Sequence, residues 1–330
     1  MSERGKLGVV LFQLGGPDSL DAVEPFLHNL FLDPDIIDFP FAKLARPVLA
    51  KLMAVSRAKK VAHGYAAMGG ASPIVAWTKK QAAALEATLR RAPETSNARV
   101  VIAMRYWKPF TEEAIAELVR EQVTEIILLP LYPHFSKTTT GSSYNEWNRH
   151  FPSSPLAHVP VKYIKDYPEH AGYVDCFVTG INETLKRFPA PEKVHMVFSG
   201  HSIPNSVVAS GDPYKPQIEQ TMRKVLERGG WTLPSTLCWQ SKVGAGRWVQ
   251  PSVHEIIPNL GAQGVKDVLI VPISFVSDHI ETLHEIGEEV REEALRAGIE
   301  RFELMDGLND SPQFINALAD LVHAQVPATV

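Results

Sequence analysis

Short apolar runs recur along the chain and stop abruptly at glycine, proline or polar residues. Seven of them, at Leu7–Leu14, Arg99–Met104, Glu125–Leu131, Val159–Ile164, Val194–Phe198, Thr236–Gln240 and Val268–Ile273, are rich in β-branched and aliphatic residues. Runs of this length with little polar alternation predict strands buried on both faces, as in parallel sheets. Helical periodicity fills the gaps, at Gln81–Arg91, Thr111–Gln122, Ile280–Ala297 and Phe314–Ala324. The second of these opens on Thr111, and Glu112 and Glu113 suit the positive end of its dipole. A further strand-like piece, Arg301–Met305, precedes the last helix. Strand and helix in alternation predict α/β layers joined by right-handed crossovers.

The pattern also repeats. The stretch from Gly8 to Pro17 lines up with that from His195 to Pro204, and Glu125–Pro130 lines up with Asp267–Pro272. Two similar Rossmann-like domains follow, each a parallel sheet flanked by helices, with a cleft between them. A chain of 330 residues exceeds what one core usually serves. The expected domains are 1–165 and 166–305, with a C-terminal helix in about 306–330 packing back on the first.

Composition narrows the function classes. A net charge of −4 argues against a large nucleic-acid footprint. Two distant cysteines, Cys176 and Cys238, match no zinc or iron–sulfur spacing and suggest a reducing compartment. No apolar run reaches the ~18 residues of a spanning helix, and no signal peptide is expected before the first strand. The expected location is the cytoplasm. The apolar stretch 36–52 with its basic fringe leaves peripheral contact with the inner membrane face open.

Chemistry concentrates past the predicted strand ends, where open α/β folds bind ligands. Ser199-Gly200 delivers His201, an imidazole that can act as base or metal ligand near neutral pH. After the last apolar run comes Ser277-Asp278-His279-Ile280-Glu281. Asp278 can cap the next helix, and Glu281, Glu285 and Glu289 fall on one helix face at i, i+4 and i+8. That line reads as a solvated acidic face or as a path for protons or a hydrated cation. Arg105-Tyr106-Trp107 and Arg247-Trp248 pair cations with flat rings, and the loop from Leu131 to Ser143 is rich in hydroxyls. Phosphate-loop, dinucleotide and hydrolase-elbow motifs are absent.

These segments together resemble the ferrochelatases across nearly the whole chain. The likeness rests on Leu14-Gly15-Gly16-Pro17, Leu30-Phe31-Leu32-Asp33, Gly69–Ile74, Arg105-Tyr106, Leu131–Ser143, Phe198–Pro204, Gly211–Tyr214, Trp239–Lys242 and Ser277–Thr282. It implies a two-domain chelatase fold and insertion of Fe²⁺ into protoporphyrin IX with release of two protons. It also implies that His201 and Glu281 are the metal-site pair. Tyr106 and Trp248 would then contact the macrocycle, Arg105 or the loop residues Ser136 and Thr140 would meet propionates, and Asp278, Glu285 and Glu289 would form a secondary acidic path. Animal-type members use cysteines for a [2Fe–2S] cluster; here Lys137 stands at one such position, and no cofactor beyond the substrate iron is expected. Coproporphyrin III as substrate, another metal, or a two-lobed carrier without chemistry remain the rival readings. Oligomeric state and protein partners stay open.

Overall fold

The computed structural model describes residues 5–36, 42–242 and 246–326, with the side chains of 42–44 excepted. The chain divides into two compact units, one of Met1–Asp166 with Asp310–Val330, the other of Tyr167–Asn309.

In the first unit β1 (Leu7–Gln13), β2 (Arg99–Met104), β3 (Glu125–Pro130) and β4 (Val161–Tyr163) form one parallel sheet in the order β2-β1-β3-β4. All seven residues of β1 are buried, as its uninterrupted apolar run requires of a central strand. Helices α1 (Val23–Leu32), α2 (Ala42–Ala67), α3 (Ile74–Leu89), α4 (Thr111–Arg120) and α5 (Ser142–His150) surround it. On one face Val10, Phe12, Val101 and Leu128 meet Leu118 of α4 and Trp147 of α5. Each such buried side chain contributes about 1.5–3 kcal/mol. β4 is three residues long, shorter than its apolar run, because Pro160 has no N–H to give to the ladder.

The second unit runs α6 (Ala171–Leu185), β5 (His195–His201), α7 (Asn205–Ala209), α8 (Tyr214–Gly229), β6 (Ser235–Gln240), α9 (Val253–Ala262), β7 (Asp267–Val271), a π-helix (Glu281–Val290), α10 (Arg291–Arg296) and β8 (Arg301–Leu304). Its sheet is again parallel, in the order β6-β5-β7-β8. The permutation matches that of the first sheet, strand for strand. Val197, Cys238, Ile270 and Phe302 pack there against Ile257 and Ile286. The final helix α11 (Pro312–His323) belongs to the first unit and packs on α3.

Two expectations need correction. The periodic stretch Ile280–Ala297 is not a single α-helix: its first ten residues wind as a π-helix and only then tighten into α10. The repeat also falls one residue away from the sequence alignment, which set Leu14 against His201. β1 and β5 are both seven residues long, and β1 ends at Gln13 where β5 ends at His201. The duplicated framework thus carries glutamine in one copy and histidine in the other.

Candidate active site

β5 carries His201 to the end of the sheet. The preceding residue is glycine because a Cβ there would lie 3.0 Å from the Trp239 ring. Ser274, in the turn after β7, accepts the His201 backbone N–H at 2.9 Å. The imidazole Nδ1 lies 2.6 Å from the Ser202 carbonyl. A carbonyl can only accept, so Nδ1 carries the hydrogen and Nε2 is the working atom.

The second strand end is built by a clamp. Asp278 donates its N–H to Asn309 Oδ1 at 2.9 Å, and Asn309 Nδ2 donates back to Asp278 Oδ2 at 2.7 Å. Gly307 N–H and the Thr282 hydroxyl also donate to the same carboxylate, each at 3.3 Å. Asp278 therefore fixes the loop, and its lone pairs are engaged; it does not open onto an acidic path. The clamp aims the next turn so that Glu281 faces His201.

Glu281 Oε2 lies 3.5 Å from His201 Nε2 and 3.6 Å from His279 Nε2. It is buried and accepts no regular hydrogen bond. His279 is oriented as His201 is, with Nδ1 at 3.0 Å from the Ser277 carbonyl and Nε2 free to face the carboxylate. The Phe275 ring neighbours both imidazoles, with centroids 6.1 Å from His201 and 4.4 Å from His279. His279 and Phe275 were missed as site residues. The signal for His279 was its place between Asp278 and Glu281 in one short polar run.

Burial by itself would lower the His201 pKa, but the charge of the facing Glu281 carboxylate, with help from the Ser202 carbonyl, raises it to about 9. Glu281 responds in the opposite sense: burial would raise it, and the two imidazoles hold it well below the usual carboxylate range. At neutral pH the pair rests as imidazolium and carboxylate.

Glu285 sits one turn further along and accepts from both the N–H and the hydroxyl of Ser241, at 2.7 and 2.5 Å. Burial and the Glu281 charge nonetheless push its pKa up. Glu289 is more than half exposed beside His284. Trp248 is half-buried on a strand-like segment tied to the residues after His201, through a bridge to Pro204 and the Val249 N–H to the Ile203 carbonyl. The structure thus brings His201, Glu281, Glu285 and the Trp248 segment into one unit.

The four contacts expected from the first unit do not present open groups. Tyr106 is fully buried and its hydroxyl donates to Asp33 at 2.5 Å. Arg105 is 11% exposed and its guanidinium is engaged by Asp33, Ser142 and Glu146. Ser136 is buried and caps the π-turn Lys137–Gly141. Thr140 is buried inside that turn. Tyr106, Arg105 and Ser136 are thus held by neighbouring side chains and backbone, while the Thr140 hydroxyl is buried without a hydrogen-bond partner. Among the described residues a further set, Glu112, Glu146 and His150, has metal-ligand spacing. Arg105 and Arg149 already pair with Glu146, and of the set only Glu112 is exposed.

A parallel α/β framework with an imidazole facing a carboxylate at adjoining strand ends fits the metal chelatases. The chain belongs to the ferrochelatase family, whose model matches residues 6–326. Curated ferrochelatases from Aquifex aeolicus and Synechocystis are 46% and 44% identical, over 97% and 96% of this chain and 100% and 82% of their own lengths. The fold also resembles Bacillus subtilis SirB, solved with Fe³⁺, at TM-score 0.56 and 16% identity over 97% of this chain and 96% of that one. CbiX, the terminal enzyme of sirohaem biosynthesis in denitrifying bacteria, superposes at TM-score 0.50 with 12% identity, covering 98% and 100%.

Proposed function

We propose that this chain inserts Fe²⁺ into protoporphyrin IX to form protohaem, releasing two protons, as a cytoplasmic enzyme with no resident iron–sulfur cluster. One observation carries the reading: the buried Glu281 Oε2, turned toward two imidazole Nε2 atoms at 3.5 and 3.6 Å. Ligand atoms arranged around one cation at about 2.1 Å sit a comparable distance apart. The trio does not close into a tight cage, since the compact three-ligand group among the described residues lies elsewhere. An open pair binds a cation transiently, which suits a metal that must be handed on.

The protonation states divide the labour. Glu281, held acidic, is the better cation partner; Glu285, with its raised pKa, is the better proton acceptor. Arriving Fe²⁺ displaces the His201 proton to solvent, and once the metal has passed to the macrocycle the freed Nε2 accepts a pyrrole proton. The second pyrrole proton goes to a carboxylate of the Glu281–Glu285 line, with Glu289 at its exposed end. Trp248 supplies a flat contact for the macrocycle.

Anaerobic insertion assays with protoporphyrin and coproporphyrin side by side test this. Multiple turnovers with protoporphyrin, lost in His201→Ala and Glu281→Gln, are the expected result. Saturation at one equivalent would make the chain a carrier. Normal turnover of His201→Ala would remove the assignment altogether.

Helix α2 supports a peripheral membrane contact. Val48, Leu52 and Val55 are 63%, 61% and 52% exposed at helical spacing, and the helix holds six basic residues and no acidic one. Such a face suits an anionic lipid surface. Residues 37–41 of the expected apolar stretch lie outside the described residues. Co-flotation with phosphatidylglycerol vesicles and not with phosphatidylcholine vesicles is expected, and should be lost in Val48→Glu/Leu52→Glu.

A further inference from the structure

π-winding is rare and α-winding is the default for ten residues of this composition. Something must hold Glu281–Val290 in the wider form. At its start the Gln240 amide donates to the Glu281 carbonyl at 2.6 Å while accepting from the Ser199 hydroxyl at 2.7 Å. In its middle Ser241 holds Glu285; its φ of 64° is what turns both its donors toward that carboxylate. At its end the ladder must hand over to α10, and a change from i→i+5 to i→i+4 bonding leaves one carbonyl passed over.

The handover is served by a side chain. The Arg291 N–H goes to the Glu288 carbonyl. Its guanidinium Nε reaches back to the Gly287 carbonyl at 3.0 Å, and Nη1 reaches the Phe302 carbonyl at 2.5 Å. The guanidinium carbon stands 5.1 Å from the centre of the Phe302 ring. Phe302 is fixed in turn, because β8 pairs with β7 at Val268↔Phe302. One planar fork thus ties the end of the wide helix to the edge of the sheet.

We propose that Arg291 is a positioning residue for the His201–Glu281 site, acting by locking the π-winding of Glu281–Val290; this rests on the function proposed above. The geometry leaves little slack. A π-helix turns by about 80° per residue and an α-helix by about 100°. Relaxation to α-winding would rotate Glu285 by roughly 70–80° relative to Glu281. Glu285 could then meet Ser241, or Glu281 could meet His201, but one helix could not do both. Lysine cannot replace the fork, because one ammonium is a point charge that cannot span both carbonyls in a plane.

The test separates positioning from plain stability. Arg291→Met, Arg291→Lys and a core control in the same unit, Ile181→Val, are compared with wild type by thermal melting and steady-state kinetics. Ile181 is fully buried on α6. The expected result is a rise of about tenfold in the KM for the metal in Arg291→Met and threefold or more in Arg291→Lys. The KM for porphyrin should stay within twofold of wild type. A less than threefold change in the metal KM of both soluble variants, or an equal change in Ile181→Val at the same loss of melting temperature, would overturn the proposal. If Arg291→Met does not fold, Arg291→Lys decides at the same threshold. An inactive His201→Ala beside a wild-type Arg291→Met would refute this inference alone; an active His201→Ala would refute the site itself.

Discussion

At the scale of single residues the central fact is a proton in the way. His201 has a pKa raised to about 9, so at neutral pH it must lose a proton before it can bind a cation or accept one from a pyrrole. Metal binding that displaces one proton gains about tenfold in affinity per pH unit. The kcat/KM for metal should therefore climb from pH 6 and level off near pH 9. Glu281→Gln removes the charge that raises the imidazole, so the His201 titration in that variant, followed by NMR of the ring protons, should move down toward the ordinary value of 6.5. An unmoved titration there would show that Glu281 does not set the imidazole pKa. Stability runs the other way. A group whose pKa is raised by folding contributes fully below its ordinary value and loses that contribution as pH rises through the folded one. The depressed Glu281 contributes above its ordinary 4.5 and is lost only in strong acid. The stability difference between wild type and His201→Ala should thus be largest near pH 4.5–6.5 and shrink toward pH 9, as urea melts at several pH values would show.

At the scale of elements, function depends on how strand ends and helix starts are clamped. Gly307 has no room for a side chain, because a Cβ would come within 2.9 Å of the Asp278 carboxylate and 3.0 Å of its backbone nitrogen. Gly307→Ala should destabilise by about 1–3 kcal/mol and lower turnover as the turn leading to Glu281 shifts. In the first unit Asp33 is fully buried, accepting from Tyr106 and Ser142 and pairing with Arg105 at 3.1 Å. Asp33→Ala leaves a guanidinium without its main counter-charge and should cost about 3–5 kcal/mol by denaturant melting. The same cluster shows where sequence reading stops. The strand ends carrying His201 and Glu281 were legible because apolar runs stop there at polar residues. Tyr106 looked like an open ring because the acid that buries its hydroxyl lies 73 residues away. The π-helix was invisible for a related reason: over ten residues, hydrophobic spacing does not distinguish its period from that of an α-helix, and what its holding contacts reach, Gln240, Ser241 and Phe302, is distant in sequence or on another strand.

At the scale of the whole molecule, one topology is used twice, β2-β1-β3-β4 and β6-β5-β7-β8. This was readable from repeated runs, although alignment of buried strands slid by one residue, since one aliphatic residue looks much like the next. The repetition gives the protein its own internal comparison. Gln13 ends its strand as His201 ends the other, buried and hydrogen-bonded to the Leu14 N–H at 2.9 Å. Gln13→Ala and His201→Ala therefore remove polar groups from matching places. The first should lower the melting temperature and leave turnover per folded molecule intact; the second should abolish turnover, with a loss of stability that fades as pH rises toward 9. Comparable losses of turnover in both would show that the two strand ends act together in the reaction.

The matching strand ends differ in their last side chain. At Gln13 stands an amide that serves its own backbone; at His201 stands a titrating ring with an acid facing it. His201→Gln would place the same amide at both ends, and it should keep the fold and lose insertion, so that one position on a twice-used scaffold separates a supporting strand from a reacting one.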